Sequence, residues 1–482
     1  MYHTTRIINY IYVYKLNMSY KNVTTYFNCF KSKNMNNIIT NNNLSNYYFG
    51  NRIIKNLNKC FSVNNKSVLI KNFSSSQKIP SNINLPQGIC PKYSYTSDIS
   101  FKSSTDKIPI FRALDSNGNI INKDFDKYLD KETAIKMLNN MVLINIADPR
   151  FNMAQREGKI SFYMTCLGEE AAITGSIAAC EMRDSVYPQY REASAILYRG
   201  YSIQDFANQL VGNYLDAGKG RQMPVHVGSN KLNYHTVSSP LSTQLPQASG
   251  AGYNYRVKKE DKICITYFGE GAASEGDFHA ALNFASVLRS QTIFFCRNNK
   301  YAISTSIQDQ YKGDGIAVRG IGYGMRSIRV DGNDALGVYV AVKEARRISI
   351  GRGVPVLVEA MTFRRGDHST SDASIAYRNE YIMKGWEEYL ASIGNPIKRF
   401  ESYLLSKNWI DKEYVKNLEK KYKIEVRDAL KSALKLNKPS IDSMFDDVYE
   451  ELPQSIRDQK KELKEYLESH ASIYDLQIYN RK

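Results

Sequence analysis

The sequence predicts an α/β fold: a parallel sheet covered by helices on both faces, with a helical C-terminal region. Three observations predict it. From Ile263 to Phe363, apolar runs of strand length alternate with helical apolar spacing, the signature of strand–helix units in a covered parallel sheet. Two of those runs end in oxygen-bearing residues, at the position where open parallel sheets bind ligands. Beyond Tyr381 the chain is charged and helical to about Leu467, with stops at Asn395-Pro396 and Lys438-Pro439.

Residues 1–88 are rich in Asn, Ser, Tyr and Lys, include an Asn-rich tract at Asn34–Asn46 and show little apolar periodicity, the composition of a disordered segment. Such a basic, hydroxylated, acid-free head resembles an organellar transit segment; an untargeted low-complexity extension is the other reading. Residues 89–380 make the predicted α/β domain. Phe111–Asp115 is its first predicted strand, with a turn at Asn117-Gly118. Lys131–Ile146 has helical spacing, and a helix over Thr165–Ala179 carries Glu169-Glu170 in its first turn, where acids suit the helix dipole. Asp205–Val211 is a further helix. Gly218-Lys-Gly220 opens a loop with Pro224, His226 and Gly228, and Gln244–Tyr255, rich in small residues, is a tightly packed helix. Strands at Ile263–Phe268, Thr292–Arg297, Ser327–Val330 and Pro355–Phe363, with helices at His279–Leu288 and Ala335–Ile348, complete the domain. A polar loop, Arg364–Arg378, leads to the helical region 381–482, which reads as a solvated bundle or a subunit contact.

Composition narrows the partners. The net charge is +17, but residues 1–97 hold 12 Lys or Arg and no acid, which leaves +5 for the rest. The basic balance belongs to the head, and the body has no Lys/Arg cluster interleaved with aromatics, so no nucleic-acid partner is expected. No apolar stretch approaches the ~18 residues of a membrane span. The seven cysteines (Cys29, Cys60, Cys90, Cys166, Cys180, Cys264, Cys296) show no CxxC or Cys/His spacing and read as reduced core thiols.

The stretch Gly269 to Ser304 carries the chemistry. Glu270 sits between two glycines directly after one apolar run, and the next run ends in Arg297-Asn298-Asn299. A carboxylate and an amide oxygen are hard ligands suited to Mg²⁺, which keeps sites for water and substrate phosphate. Gly269 and Gly271 let the backbone approach a diphosphate closely. No GxGxxG follows a strand and no GxxxxGK[ST] occurs, so dinucleotide and nucleoside-triphosphate readings lose support. Gly320-Ile-Gly322-Tyr-Gly324 lacks the spacing and reads as a loop.

This stretch resembles the thiamine-diphosphate motif, Gly-Asp/Glu-Gly followed at a distance by Asn-Asn. Ile160–Met164, Gln189–Ala193, Gly218–His226, Ser238–Gln244 and Gly366–Asp372 occur in the order seen in one family. Through them the chain resembles the alpha subunits of branched-chain 2-oxoacid dehydrogenase decarboxylase components, over roughly residues 105–475. The resemblance implies the thiamine-diphosphate-binding fold. It implies Mg²⁺ held by Glu270, Asn299 and the main-chain oxygen of Tyr301. It implies a cofactor lined by Tyr190, Arg191, Ser239, Gly271, Ala272 and Arg297, the two arginines facing phosphate. Ser238, Pro240, Thr243 and Gln244 resemble a loop that holds K⁺. His368 is the implied catalytic histidine, touching the cofactor or the bound intermediate, with a neutral or charged imidazole available near pH 7. His226 is left open as a substrate neighbour.

The implied activity is oxidative decarboxylation of a branched-chain 2-oxo acid, with acyl transfer to the lipoyl group of a partner acyltransferase. No segment here resembles the domain whose carboxylate activates the cofactor's pyrimidine, so a separate beta subunit in an α₂β₂ heterotetramer is implied, with a mitochondrial-matrix location. The loop serine after the histidine, Ser369, is the implied regulatory site for a kinase; the family's second serine is Asn379 here, and Arg365 and Asp367 also depart from the family pattern. The alternatives are the same chemistry acting mainly on pyruvate, and a non-catalytic assembly subunit that kept the fold.

Overall fold

The computed structural model describes Ile99, Phe101 and residues 106–480 except 379, 392 and 393. The head 1–88, Cys29, Cys60, Cys90 and Asn379 therefore lie outside the described residues. In chain order, β1 (Ile110–Phe111) precedes α1 (Lys131–Arg156) and α2 (Glu170–Ala178); then come β2 (Ser185–Tyr187), α3 (Ala193–Tyr198), α4 (Ile203–Val211) and α5 (Gln244–Val257). The central units are β3 (Cys264–Gly269), α6 (Gly276–Leu288) and β4 (Thr292–Asn298). A small hairpin, β5 (Tyr301–Ala302) and β6 (Thr305–Ser306), runs into α7 (Ile307–Gln310) and α8 (Ala317–Gly322). After β7 (Arg326–Asp331), α9 (Ala335–Arg352) and β8 (Val356–Met361), the chain is helical: α10 (Glu380–Ala391), α11 (Pro396–Ser406), α12 (Tyr414–Ala433) and α13 (Gln454–Ser469).

Six strands form one sheet in the order β1-β7-β8-β4-β3-β2, with every pairing parallel. The two-residue alternation of side chains divides each strand between two cores. Ile265, Tyr267, Ile293, Phe295, Val356 and Val358 pack with residues of α1, α2 and α9. Phe268, Phe294, Cys296 and Leu357 point the other way and pack with Leu245 of α5 and Phe278, Ala281 and Leu282 of α6. The sheet is thus covered on both faces, as predicted. Cys166, Cys264 and Cys296 are buried free thiols and Cys180 is half-buried and free.

Four predicted elements differ. The segment Gly320–Gly324, read as a loop, starts inside α8, with Gly320, Ile321 and Gly322 helical and only Tyr323 and Gly324 in the turn that follows. The helix predicted over Lys131–Ile146 continues to Arg156 with Pro149 inside it, because buried Ala147, Phe151 and Ala154 extend the apolar face past the proline. The helix predicted from Thr165 begins at Glu170. Gly168 explains this: its φ is +91°, and a Cβ there would lie 2.0 Å from the Phe363 carbonyl oxygen. The chain before Glu170 makes a turn, with the Glu169 N–H donating to the Cys166 carbonyl, against the loop after β8, where the Arg365 N–H donates to the Leu167 carbonyl; Glu169 is thereby kept out of the helix. The first strand shrinks to two residues, with Leu114 bridging Ile120 instead. Helix α11 packs on α1 and α2, and α12 on α1 and α4, and Phe400, Tyr403, Leu404, Val426 and Leu430 join the core around α1. Asn395 caps α11 with Pro396 in its first turn, the stop read from the sequence.

Candidate functional site

Strands β8, β4, β3 and β2 lie side by side, and their carboxyl ends open on a cavity of about 310 Å³. Each strand delivers its own groups. Past β2 come Gln189, Tyr190 and Arg191; past β3, Glu270, Gly271 and Ala272; at the end of β4 and beyond it, Arg297, Asn299 and Tyr301; past β8, Arg364 and His368. Register makes this convergence unavoidable. Gly269 pairs with Arg297 and Asn298 with Met361, so the residues that follow leave the sheet at one level.

Glu270 is 1% exposed. Its Oε2 accepts from the Asn299 backbone N–H at 3.2 Å, while Oε1 is buried without a hydrogen-bond partner. Burial first, and the nearby Glu169 carboxylate among the smaller causes, push its pKa up to about 7. Such an orphaned carboxylate oxygen is expensive unless a cation or donor meets it. Asn299 donates from Nδ2 to Glu169 at 2.7 Å, and its Oδ1 accepts only a long bond, 3.3 Å, from the Tyr301 N–H. The preceding Asn298 is spent on structure, donating to Glu359 and to the Tyr311 hydroxyl oxygen.

Two buried arginines face the same cavity. Arg297 donates to Glu192, to Glu169 at 2.8 Å and to Gln189 at 3.2 Å. Arg191 donates to the Thr165 carbonyl at 2.7 Å and to the His368 carbonyl at 2.9 Å. Burial alone would raise Glu169, but Arg297 and Arg191 hold its carboxyl below the usual range.

His368 is held between guanidiniums. Its Nδ1 lies 3.3 Å from Arg191 Nη2 and 3.3 Å from Arg364 Nη1. Both neighbours can only donate, so Nδ1 accepts and the proton sits on Nε2. Burial, then Arg191 and Arg364, push the imidazole down to about 3. The ring is therefore neutral throughout pH 5–8, which narrows the expectation that either charge state is available. Asp372 holds the loop, accepting from the His368 N–H at 2.7 Å and the Tyr377 hydroxyl at 2.6 Å.

The Ser238–Gln244 loop sits beside this cavity. Gln244 Oε1 is buried with no partner. The Thr243 hydroxyl lies 3.0 Å from Ser238 Oγ and 3.1 Å from the Pro240 carbonyl. These oxygens are a donor set that fits a monovalent cation. Ser242 ties the loop to the cavity by donating to the Ala272 carbonyl at 2.7 Å. Ser239 stands outside the cavity lining and bonds His226 Nε2 at 2.6 Å. His226 is buried, with Nδ1 on the Pro224 carbonyl.

The sequence profile described as "Dehydrogenase E1 component" matches residues 138–442, the span that builds five of the sheet's six strands and this cavity. The chain belongs to the dehydrogenase E1 component family. Its relatives include the 2-oxoisovalerate dehydrogenase subunit alpha 2, mitochondrial, of Arabidopsis thaliana, 46% identical over 80% of this chain and 81% of the relative. The mitochondrial subunits alpha of Dictyostelium discoideum and Homo sapiens are 46% and 47% identical, covering 84% and 78% of this chain and 91% and 83% of their own lengths.

Membership of the E1 component family implies thiamine diphosphate, and the α/β sheet is the fold that binds it. The cavity residues fit that group: two guanidiniums for phosphate, small residues at the floor, and an unpartnered carboxylate oxygen for a cation. Sequence reasoning missed Glu169, Glu192, Gln189 and Arg364 as members of the site. One signal was available for Glu169. The following segment, Ala171–Ile177, consists of small and apolar residues and is buried throughout, so the carboxylates before it are drawn inside with it.

Close packing at Gly271 gives a direct prediction. A Cβ there would meet the Ala302 Cβ at 2.5 Å, on the hairpin strand that presents the Tyr301 carbonyl. Gly271→Ala is expected to cost about 1–3 kcal/mol of stability by overpacking and to weaken cofactor affinity more than Gly269→Ala, where the nearest atom is 3.9 Å away. Calorimetric titration of both variants with Mg²⁺ and thiamine diphosphate checks the order.

Proposed function

We propose that this chain is the alpha subunit of a thiamine-diphosphate-dependent E1 enzyme, a 3-methyl-2-oxobutanoate dehydrogenase (2-methylpropanoyl-transferring) that passes its acyl group to the lipoyl disulfide of a partner acyltransferase. The observation that carries this is the convergence of Glu270, Asn299, Arg297, Arg191 and neutral His368 on one cavity at the sheet's carboxyl edge. The names of the relatives favour branched-chain 2-oxo acids over pyruvate.

Glu270 Oε1, Asn299 Oδ1 and the Tyr301 carbonyl would hold Mg²⁺, and Arg191 and Arg297 would pair with diphosphate oxygens. Among the described residues no group of three or more His, Cys, Asp or Glu could hold a metal; a set with one carboxylate suits an ion that also takes phosphate and water. Tyr190, Gly271 and Ala272 would line the cofactor, and Ser239, which lies outside the cavity lining, would reach it from the neighbouring loop. Ser238, Pro240, Thr243 and Gln244 would hold K⁺. When bound, thiamine diphosphate supplies a carbon nucleophile and an electron sink for decarboxylation. His368 offers its Nε2 proton to the substrate oxygen facing it, and the two guanidiniums at Nδ1 keep that proton on Nε2. We place a beta subunit over the open side in an α₂β₂ assembly. The head 1–88 is proposed as a mitochondrial transit segment, 89–380 as the diphosphate-binding domain and 381–482 as a region of subunit contact. Among the described residues no helix is long and apolar enough to cross a membrane.

Co-expression with the beta subunit tests the reading. The complex is expected to decarboxylate 3-methyl-2-oxobutanoate with a kcat/KM at least ~10-fold above that for pyruvate, the scale set by a methyl group or two in an apolar pocket. The alpha chain alone is expected to be inactive. A preference for pyruvate, or turnover by the isolated chain, would count against it.

Ser369 is the proposed regulatory site, open to a kinase. It is half-buried, between His368 and buried Thr370, which is pinned to Tyr163 through its N–H and hydroxyl. A dianion there would compete for Arg191 and Arg364, the guanidiniums that hold His368. Ser369→Glu is expected to lower kcat/KM by ~10-fold or more, since a charge-assisted bond is worth about 1.5–3 kcal/mol, while Ser369→Ala stays near wild type. Equal activity of the two variants would remove the assignment.

A further inference from the structure

Resting on that reading, we propose that Glu169 is a positioning residue for the metal: it fixes which end of the Asn299 amide faces the cation. Glu169 is fully buried. One oxygen takes the Asn299 Nδ2–H at 2.7 Å, and the other takes Arg297 Nη1 at 2.8 Å. Arg191 lies 3.9 Å away. Both oxygens are thus taken by donors, an amide NH₂ and a guanidinium, so this side chain only accepts. The Asn299 NH₂ must therefore point at Glu169, which leaves Oδ1 as the free end of the amide, held only by the long bond from the Tyr301 N–H and able to meet the cation. Without that constraint the amide can turn, and an NH₂ aimed at a cation repels it. Glu169 also joins the two halves of the site, since the same carboxylate sets the Arg297 fork that faces phosphate.

Exchanging donor and acceptor between the two side chains gives a test on the full chain assembled with its beta subunit, reading Mn²⁺ affinity in the presence of thiamine diphosphate by the free-ion resonance. In Glu169→Gln only one oxygen remains. Arg297 takes it, the glutamine NH₂ faces Asn299, and the asparagine turns its NH₂ to the metal. Affinity is expected to fall ~10–100-fold, the usual cost of losing an outer-shell partner. Asn299→Asp alone is also expected to lose affinity, although aspartate is the stronger ligand, because two carboxylates then face each other. Combining the two is expected to recover at least ten-fold over either single variant, since aspartate accepts from glutamine and still offers an oxygen to the metal. Recovery of this kind is not produced by a merely structural role. Glu169→Gln within three-fold of wild type, a double variant no better than the singles, or an Asn299→Asp variant that binds more tightly than wild type would each overturn the proposal. Asn299→Asp leaves Glu169 in place, so it serves even where Glu169→Gln does not assemble. Undiminished Mn²⁺ affinity in Glu270→Gln would instead sink the metal site itself.

Discussion

Glu270→Gln is expected to make the cofactor-free protein more stable at pH 8 and the loaded enzyme at least ~100-fold less active. The reason is the same for both effects. Burial raises the Glu270 carboxyl to about 7, above its ordinary 4.5, so in the unfolded chain this group loses its proton first. Stability therefore falls as pH rises from about 4.5 to 7, because the folded state must ionise a desolvated carboxyl. Below that window the group is neutral in both states and costs nothing. A tenfold difference in proton affinity between the folded and unfolded chain is worth about 1.4 kcal/mol. The glutamine still leaves a buried amide poorly paired, so the net gain at pH 8 is on the order of 1–2 kcal/mol. No gain is expected at pH 5. A cation reverses the preference: metal binding demands the carboxylate and releases its proton, and wild-type affinity is expected to rise with pH up to about 7 and then level. Thermal denaturation at pH 5 and 8, with and without Mg²⁺ and thiamine diphosphate, reads all of this. Parallel pH profiles for the two proteins, or an undiminished ligand-induced shift in Glu270→Gln, would refute the assignment of this carboxylate.

What the sequence disclosed follows from how local each signal is. Strands β3 and β4 carry their own apolar runs, and Glu270 and Asn299 follow them directly, so their meeting needed only the inference that the strands are neighbours. β2 is three residues long, too short to show a period, and the placement of Tyr190 and Arg191 was legible only through family resemblance, which did not reach Gln189 or Glu192. Contacts that cross the chain were not legible. Arg297 meets Glu192 and Glu169 across 105 and 128 residues, and no spacing rule reaches that far. His368 illustrates the same limit: its residue type announced a proton carrier, but the neutral ring and its Nε2–H tautomer are set by Arg191, 177 residues away, and by Arg364. Composition also misleads at this site. Acids at a helix start read as partners of the helix dipole, a reading that says nothing of burial, yet Glu169 is interior because the helix behind it is buried.

That interior charge cluster carries the other large expected effect. Arg297 is 2% exposed and is the cation between Glu192 and Glu169, which are 1% and 0% exposed. Arg297→Met keeps the volume and removes the charge, leaving two buried carboxylates without their shared partner. Breaking a buried ion pair from one side costs about 3–5 kcal/mol, and here two anions are stranded. They recover part of this by taking up protons: Glu169, held low by its arginines in the wild type, moves up, and Glu192, which burial already raises, moves higher still. By the linkage sign, the variant then loses stability as pH rises above 4.5, so its deficit against wild type is expected to be larger at pH 8 than at pH 5.5. Arg297→Lys separates charge from geometry. A single ammonium keeps the cation but cannot reach Glu192, Glu169 and Gln189 in one plane, so it is expected to restore most of the stability at pH 8 and little of the diphosphate affinity. Urea denaturation at the two pH values measures the first, and calorimetric titration with thiamine diphosphate the second. If lysine restored both equally, the guanidinium fork would have no role beyond its charge; if the methionine variant were as stable as wild type at pH 8, Glu169 and Glu192 could not both be ionised in the folded protein.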